Sequence, residues 1–287
     1  MDNSILSFLS TELKIRIISA LFLVAAVSLF LWLGGATYVL MWAVLAFFIL
    51  FEYLRMVSNA LSVSIRLCAT IFLCLIVVSF ALGDHFTAYL IAALGATALA
   101  AWELVTSRTL WASGGLLYSS LPFLAFSNLR GDVFDGVIAT LFIFAIVWGA
   151  DVAAYFSGRY FGGAKLAPKI SPNKTWSGFF GGLLGSLILC FLLAKYMGYD
   201  MMSSFWMFVI AASIVSQIGD LVESFIKRRF KVKDSGSIIP GHGGILDRID
   251  GLVFAGVFAW GLLLLIGLNT SSTAPIAGAL KAYFILP

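Results

Sequence analysis

Five carboxylates stand where an apolar chain should not carry them. One apolar run ends in Trp148-Gly-Ala-Asp151-Val-Ala-Ala-Tyr155, a second ends in Gly219-Asp220-Leu-Val-Glu223-Ser224, and a third opens with Asp247-Arg248-Ile-Asp250-Gly251. An acid inside or at the edge of a lipid-embedded helix is expensive and turns away from lipid. Asp220, Glu223 and Ser224 fall at i, i+3 and i+4, on one helical face. Asp247 and Asp250, three apart, share a face if a helix begins there. N-terminal capping explains that second pair adequately, because a helix start favours negative charge. It does not explain Asp220, which lies near the C-terminal end of its run, where the helix dipole disfavours an anion. Such an acid needs a cation, either a metal or a nearby Lys or Arg. Hard oxygen donors of this kind suit Mg2+, which keeps several waters and takes one or two carboxylates together with substrate phosphates.

Two polar loops adjoin these acids. The stretch Lys227-Arg-Arg-Phe-Lys231-Val-Lys233-Asp234 reads on its own as a basic flank that attracts anionic lipid head groups. Pro240-Gly241-His242-Gly243-Gly244 follows. Glycines this dense let backbone N–H groups approach one anion closely, though glycines alone also make a flexible turn. His242 suits a general acid, a hydrogen-bond donor or a plain loop residue. The earlier loop holds Ser171-Pro-Asn-Lys174-Thr175-Trp176, rich in donors, and equally reads as a capped helix start. Neither loop contains a Walker A sequence, and no Ser-His-Asp or zinc pattern is evident.

The elements that position these residues follow from composition. The 287 residues are 61% hydrophobic and 11% charged, with mean hydropathy +1.04, against about 45–50% and about 25% in soluble domains. Water does not solvate such a chain; lipid does. A helix crosses the roughly 30 Å hydrocarbon core with about 20 apolar residues, and continuous apolar runs favour helices over a lipid-facing barrel. Hydropathy lays down nine spans, at 17–34, 36–55, 64–83, 87–106, 111–129, 136–158, 177–198, 202–226 and 251–268. The fifth, containing Gly114, Gly115 and Pro122, is the weakest, and the Gly34-Gly35 link is very tight. The expected fold is an all-α polytopic bundle forming a single membrane domain over 1–287, with N-terminal helices in 1–130 and a catalytic half at about 136–268. Gly178, Gly181, Gly182 and Gly185 form small-xxx-small pairs that admit a neighbouring helix closely. Cys68, Cys74 and Cys190 lie in apolar runs and read as small core residues. Asp2 and Glu12, with a long first apolar run, argue against a cleavable leader. With the N-terminus in the cytoplasm, 15 of the 18 Lys and Arg fall on the cytoplasmic side and 3 on the other, the asymmetry that orients membrane proteins.

The stretch from Ser224 to Asp250 resembles, without a gap, the signature of phosphatidate cytidylyltransferases, also called CDP-diacylglycerol synthases. More than a dozen positions over 27 residues carry the likeness, which extends to Asp151, Tyr155, Gly158 and the Ser171–Thr175 segment. Asn173 and Ser177 depart from it, where a basic and an acidic residue are often found. The resemblance implies CTP and phosphatidic acid as substrates, CDP-diacylglycerol and pyrophosphate as products, and Mg2+ as cofactor, with a second cation compatible. It implies Asp220, Asp247 and Asp250 as metal ligands, and Lys227 and His242 in the catalytic set. Substrate contacts would come from Ser224, Arg228, Lys233, Asp234, Gly241, Gly243, Gly244 and Arg248, and from Ser171, Lys174, Thr175, Asp151 and Tyr155. Membrane lipids and a homodimer are further expected partners, nucleic acid is not, and the short chain points to a bacterial inner membrane.

Three rival activities would leave different marks in the sequence. A CDP-alcohol phosphotransferase carries a DGxxAR-type motif that is missing here. A CTP-dependent lipid kinase shares the nucleotide but transfers the γ-phosphate. A transporter places its charges near mid-span between repeated halves, whereas these acids cluster at one end of their spans.

Overall fold

The computed structural model describes residues 11–131, 134–239 and 243–269. Among them, nine helices occupy the nine expected positions: α1 Thr11–Leu33, α2 Gly35–Met56, α3 Val63–Ala81, α4 His85–Thr106, α5 Trp111–Arg130, α6 Phe134–Phe161, α7 Trp176–Met197, α8 Ser203–Arg229 and α9 Leu246–Asn269. Seven of these, α2 to α4 and α6 to α9, are long and apolar enough to cross a membrane, and the chain is an integral membrane protein. In α1 the apolar described part is Leu21–Leu33. The weak fifth span is helical, and within it Ser119 is satisfied locally: its hydroxyl donates to the carbonyls of Gly115 and Leu116, each at 3.0 Å. Only Gly34, with φ 64°, separates α1 from α2, a backbone setting that suits glycine.

Among the differences from hydropathy are two helix ends and one loop. α8 runs on through Lys227, Arg228 and Arg229, because charged residues extend a helix readily once they leave lipid. α9 starts at Leu246 instead of 251, so Asp247 lies in its first turn. The loop after α6 contains a ribbon of β1 Lys165–Ala167 and β2 Ser171–Thr175, antiparallel, pairing Lys165 with Thr175 and Ala167 with Ser171. Thr175 then caps α7, its Oγ1 accepting the Gly178 N–H at 3.1 Å.

The chain forms two compact units. The first comprises Met1–Ser119 with Val232–Arg248. Its core includes Tyr38, Trp42, Ile49, Leu73, Ile76, Leu99 and Leu116. Gly115 lies against the Tyr53 ring, where a Cβ would come within 2.7 Å. Buried Glu103, at the end of α4, accepts the N–H groups of Ala112 at 2.7 Å and Ser113 at 2.9 Å, so an anion satisfies orphan donors at the start of α5.

The second unit comprises Ser120–Lys231 with Ile249–Pro287. Its centre is the α6–α7 pair. On α7 the buried residues Gly178, Gly182, Ser186, Cys190 and Ala194 recur every four positions, while Phe180, Leu184, Ile188 and Phe191 are exposed. This is the packing expected in a bilayer, where helices associate by close backbone approach and large apolar side chains face lipid. A Cβ on Gly149 of α6 would come within 2.8 Å of the Gly185 carbonyl oxygen, and one on Gly182 within 3.2 Å of that of Ala150. Ser186 donates to the Ile146 carbonyl at 2.7 Å.

Candidate active site

Backbone crossing brings the acids of the second unit together. Gly219 precedes Asp220 on α8, and Gly251 follows Asp250 on α9. A Cβ on Gly219 would stand 2.8 Å from the Asp250 carbonyl oxygen, and one on Gly251 would stand 2.6 Å from Ser216 Oγ. Each glycine therefore removes the bulk that would hold the helices apart. As a result, one carboxylate oxygen each from Asp220, Glu223 and Asp250 lies within 4.8 Å of the others.

Three carboxylates this close either repel or take up positive charge. Two lysines supply part of it. Lys174 Nζ, from β2, sits 2.5 Å from Asp220 Oδ2, and Lys227 Nζ sits 2.5 Å from Glu223 Oε2, one helical turn away. Glu223 is fully buried. Ser224 Oγ donates to Asp220 Oδ1 at 3.4 Å. Asp250 Oδ1 accepts the Gly251 N–H at 2.8 Å, and Asp151 is exposed. A set of carboxylate oxygens of this density fits a hard divalent cation such as Mg2+. We expect Lys174→Gln to weaken the apoprotein by about 1 kcal/mol, since the pair is partly solvated. The same change should increase stabilisation by added Mg2+, because it makes the cluster more negative. Melting in detergent across an Mg2+ titration checks both signs.

Arg228 Nε donates to the Ile170 carbonyl at 3.3 Å, tying the end of α8 to the ribbon. Tyr155 is exposed, and its hydroxyl accepts from Arg159 Nη1 at 2.8 Å. Ser171 is half-buried, while Thr175 is buried and acts as the α7 cap.

The Gly-rich loop belongs to the first unit. Ser235 N donates to Asp247 Oδ2 at 2.9 Å, and so does Gly244 N at 2.9 Å. The Ile239 N–H meets the Gly243 carbonyl at 2.9 Å, and Gly243 has φ +88°. Lys233, Asp234 and Arg248 are exposed. Gly241 and His242 lie outside the described residues. Gly244 is needed for tight packing as well as for any ligand: its Cβ would strike Ser235 Oγ and stand 2.6 Å from Glu52 Oε2.

That glutamate is the residue sequence reasoning missed. Glu52 lies inside the end of an apolar span, the same signal that singled out Asp220. Glu223, read from sequence only as a neighbour on the Asp220 face, joins the carboxylate cluster itself.

Residues 14–266 match the cytidylyltransferase family. The phosphatidate cytidylyltransferase of Brucella suis biovar 1 (strain 1330) is 38% identical over 252 residues, covering 85% of this chain and 91% of that protein. That of Haemophilus influenzae is 42% identical over 166 residues, covering 52% and 58%. That of Staphylococcus epidermidis is 45% identical over 140 residues, covering 48% and 52%. A match spanning nearly all the described helices, with acids and cations gathered at helix ends, leads to one conclusion: the chain belongs to the cytidylyltransferase family and is a membrane-embedded nucleotidyltransferase.

Proposed function

We propose that the chain is a phosphatidate cytidylyltransferase, joining CTP and phosphatidic acid to give CDP-diacylglycerol and pyrophosphate. The observation that carries this reading is the cluster of Asp220, Glu223 and Asp250 with Lys174 and Lys227 paired against it, in a chain of this family. The named relatives act on the same lipid class by their printed names.

The chemistry suits these residues. A phosphate monoester has a second pKa near about 6, so its oxygen is already anionic at neutral pH and no strong base is required. The obstacle is an anion approaching the α-phosphate of a polyanion, and catalysis reduces to positioning and neutralisation. Asp220, Glu223 and Asp250 would hold Mg2+, which when bound supplies positive charge to the triphosphate. Asp247 keeps the ligand role implied by the resemblance, oriented by the N–H groups of Ser235 and Gly244. Lys227, Arg228, Lys233 and Arg248 would hold phosphate oxygens. Lys174 would turn from Asp220 to the nucleotide as the cluster gains its cation. A second cation fits such a donor-rich site. We place the N-terminus and the polar loops in the cytoplasm of a bacterial inner membrane, supported by the 15-to-3 distribution of Lys and Arg and by bacterial relatives.

The purified protein, given phosphatidic acid, Mg2+ and CTP labelled at the α-phosphate, should move label into the lipid phase and stop when EDTA is added. Label that stays in water with α-labelled CTP but enters lipid with γ-labelled CTP would replace this reading with a lipid kinase.

A further inference from the structure

Glu52 is 1% exposed, near the C-terminal end of α2. A buried carboxylate is costly unless fully hydrogen-bonded. Here the bonds come from chain almost two hundred residues away. Ile245 N donates to Oε1 at 3.0 Å, Leu246 N to Oε2 at 2.9 Å, and Ser235 Oγ to Oε2 at 3.0 Å. The two amides are orphan donors at the start of α9, where the helix dipole favours an anion. Ser235 relays the contact: its hydroxyl goes to Glu52 and its amide to Asp247. Gly236 and Gly244 lie directly on the carboxylate, since a Cβ on either would meet its oxygens.

We propose that Glu52 is a positioning residue for cytidylyl transfer: its carboxylate clamps Ser235 to the Ile245–Leu246 turn and thereby sets the orientation of Asp247. The inference rests on the function proposed above. Glu52 acts through its hydrogen-bond partners. It fixes the groups that hold Asp247, as outer-shell partners orient metal-binding carboxylates. Glutamine keeps the shape but turns an NH2 group toward one of the donors, leaving a buried clash of hydrogens.

The test compares wild type, Glu52→Gln and Ser235→Ala in detergent. Turnover of α-labelled CTP should fall about 10- to 100-fold in Glu52→Gln, the range typical of outer-shell losses. The Mg2+ concentration for half-maximal turnover should rise by about tenfold, while the Michaelis constant for CTP changes little. A smaller folded fraction lowers turnover but leaves the Mg2+ dependence unmoved. Amide hydrogen exchange should quicken at Ser235, Gly244, Ile245 and Leu246 and stay as in wild type across α6 to α8. Ser235→Ala, which removes one donor from an intact carboxylate, should shift both readouts in the same direction by less. Parental Mg2+ dependence and parental exchange at these amides in Glu52→Gln would overturn the clamp. An inactive wild type with protected amides would instead overturn the functional reading and leave the clamp standing.

Discussion

Asp250→Asn will lower cytidylyl transfer by about a thousandfold or more, as expected when an electrostatic element of phosphoryl chemistry is removed, and will not destabilise the metal-free protein. The two effects share one cause. Asp250 shares a site with Asp220 and Glu223, whose oxygens lie within 4.8 Å. Two unit charges about 4 Å apart repel by about 4 kcal/mol at an effective dielectric of about 20. Lys174 and Lys227 offset part of that repulsion. A bound cation would relieve the remainder. Asparagine relieves it permanently, so without Mg2+ the variant should melt at or above the parental temperature. Added Mg2+ should raise the parental melting temperature by binding linkage and move the variant less. The measurements are labelled-CTP turnover and thermal melting with and without Mg2+. Parental turnover would take Asp250 out of the reaction, and a variant that melts well below the parent without Mg2+ would show that its carboxylate serves the fold.

Gly185→Val should destabilise the second unit by about 3 kcal/mol, the upper end of the usual range for overpacking. The Gly149 carbonyl and the Ala153 methyl occupy the space that a Gly185 Cβ would need. Neither can yield as the end of a long side chain could. α6 carries Asp151 and Tyr155, and α7 follows the ribbon that carries Lys174, so separating these helices should lower activity together with stability. Leu184→Val, next along the helix at a position 58% exposed, is the control and should change stability by less than about 0.5 kcal/mol. Melting of the two variants in the same detergent decides the matter. Equal melting temperatures would show that the small-residue face of α7 does not hold the helix pair together.

By itself the sequence determined the helices and their positions among the described residues, and it pointed to carboxylates and cations as the chemistry to look for. Apolar runs of bilayer length leave the backbone little choice but a helix. An acid such as Asp220 at the wrong end of a helix dipole announces a need for cations whatever the tertiary structure. The glycine spacing of α7 showed that a helix would pack there, because only small residues admit backbone contact in lipid. Tertiary structure decided which groups meet. Lys174 reaches Asp220 only because a ribbon, too short to leave a hydropathy signal, folds back over its span. Glu223 joins the cluster because Gly219 and Gly251 let α8 and α9 cross at backbone distance, and the pairing of those glycines is not visible in either helix alone. Glu52 takes its partners from Ser235, Ile245 and Leu246. Spacing within a helix reports neighbours three or four residues apart; a buried carboxylate that caps a helix almost two hundred residues away is a long-range contact, fixed only when the chain has folded.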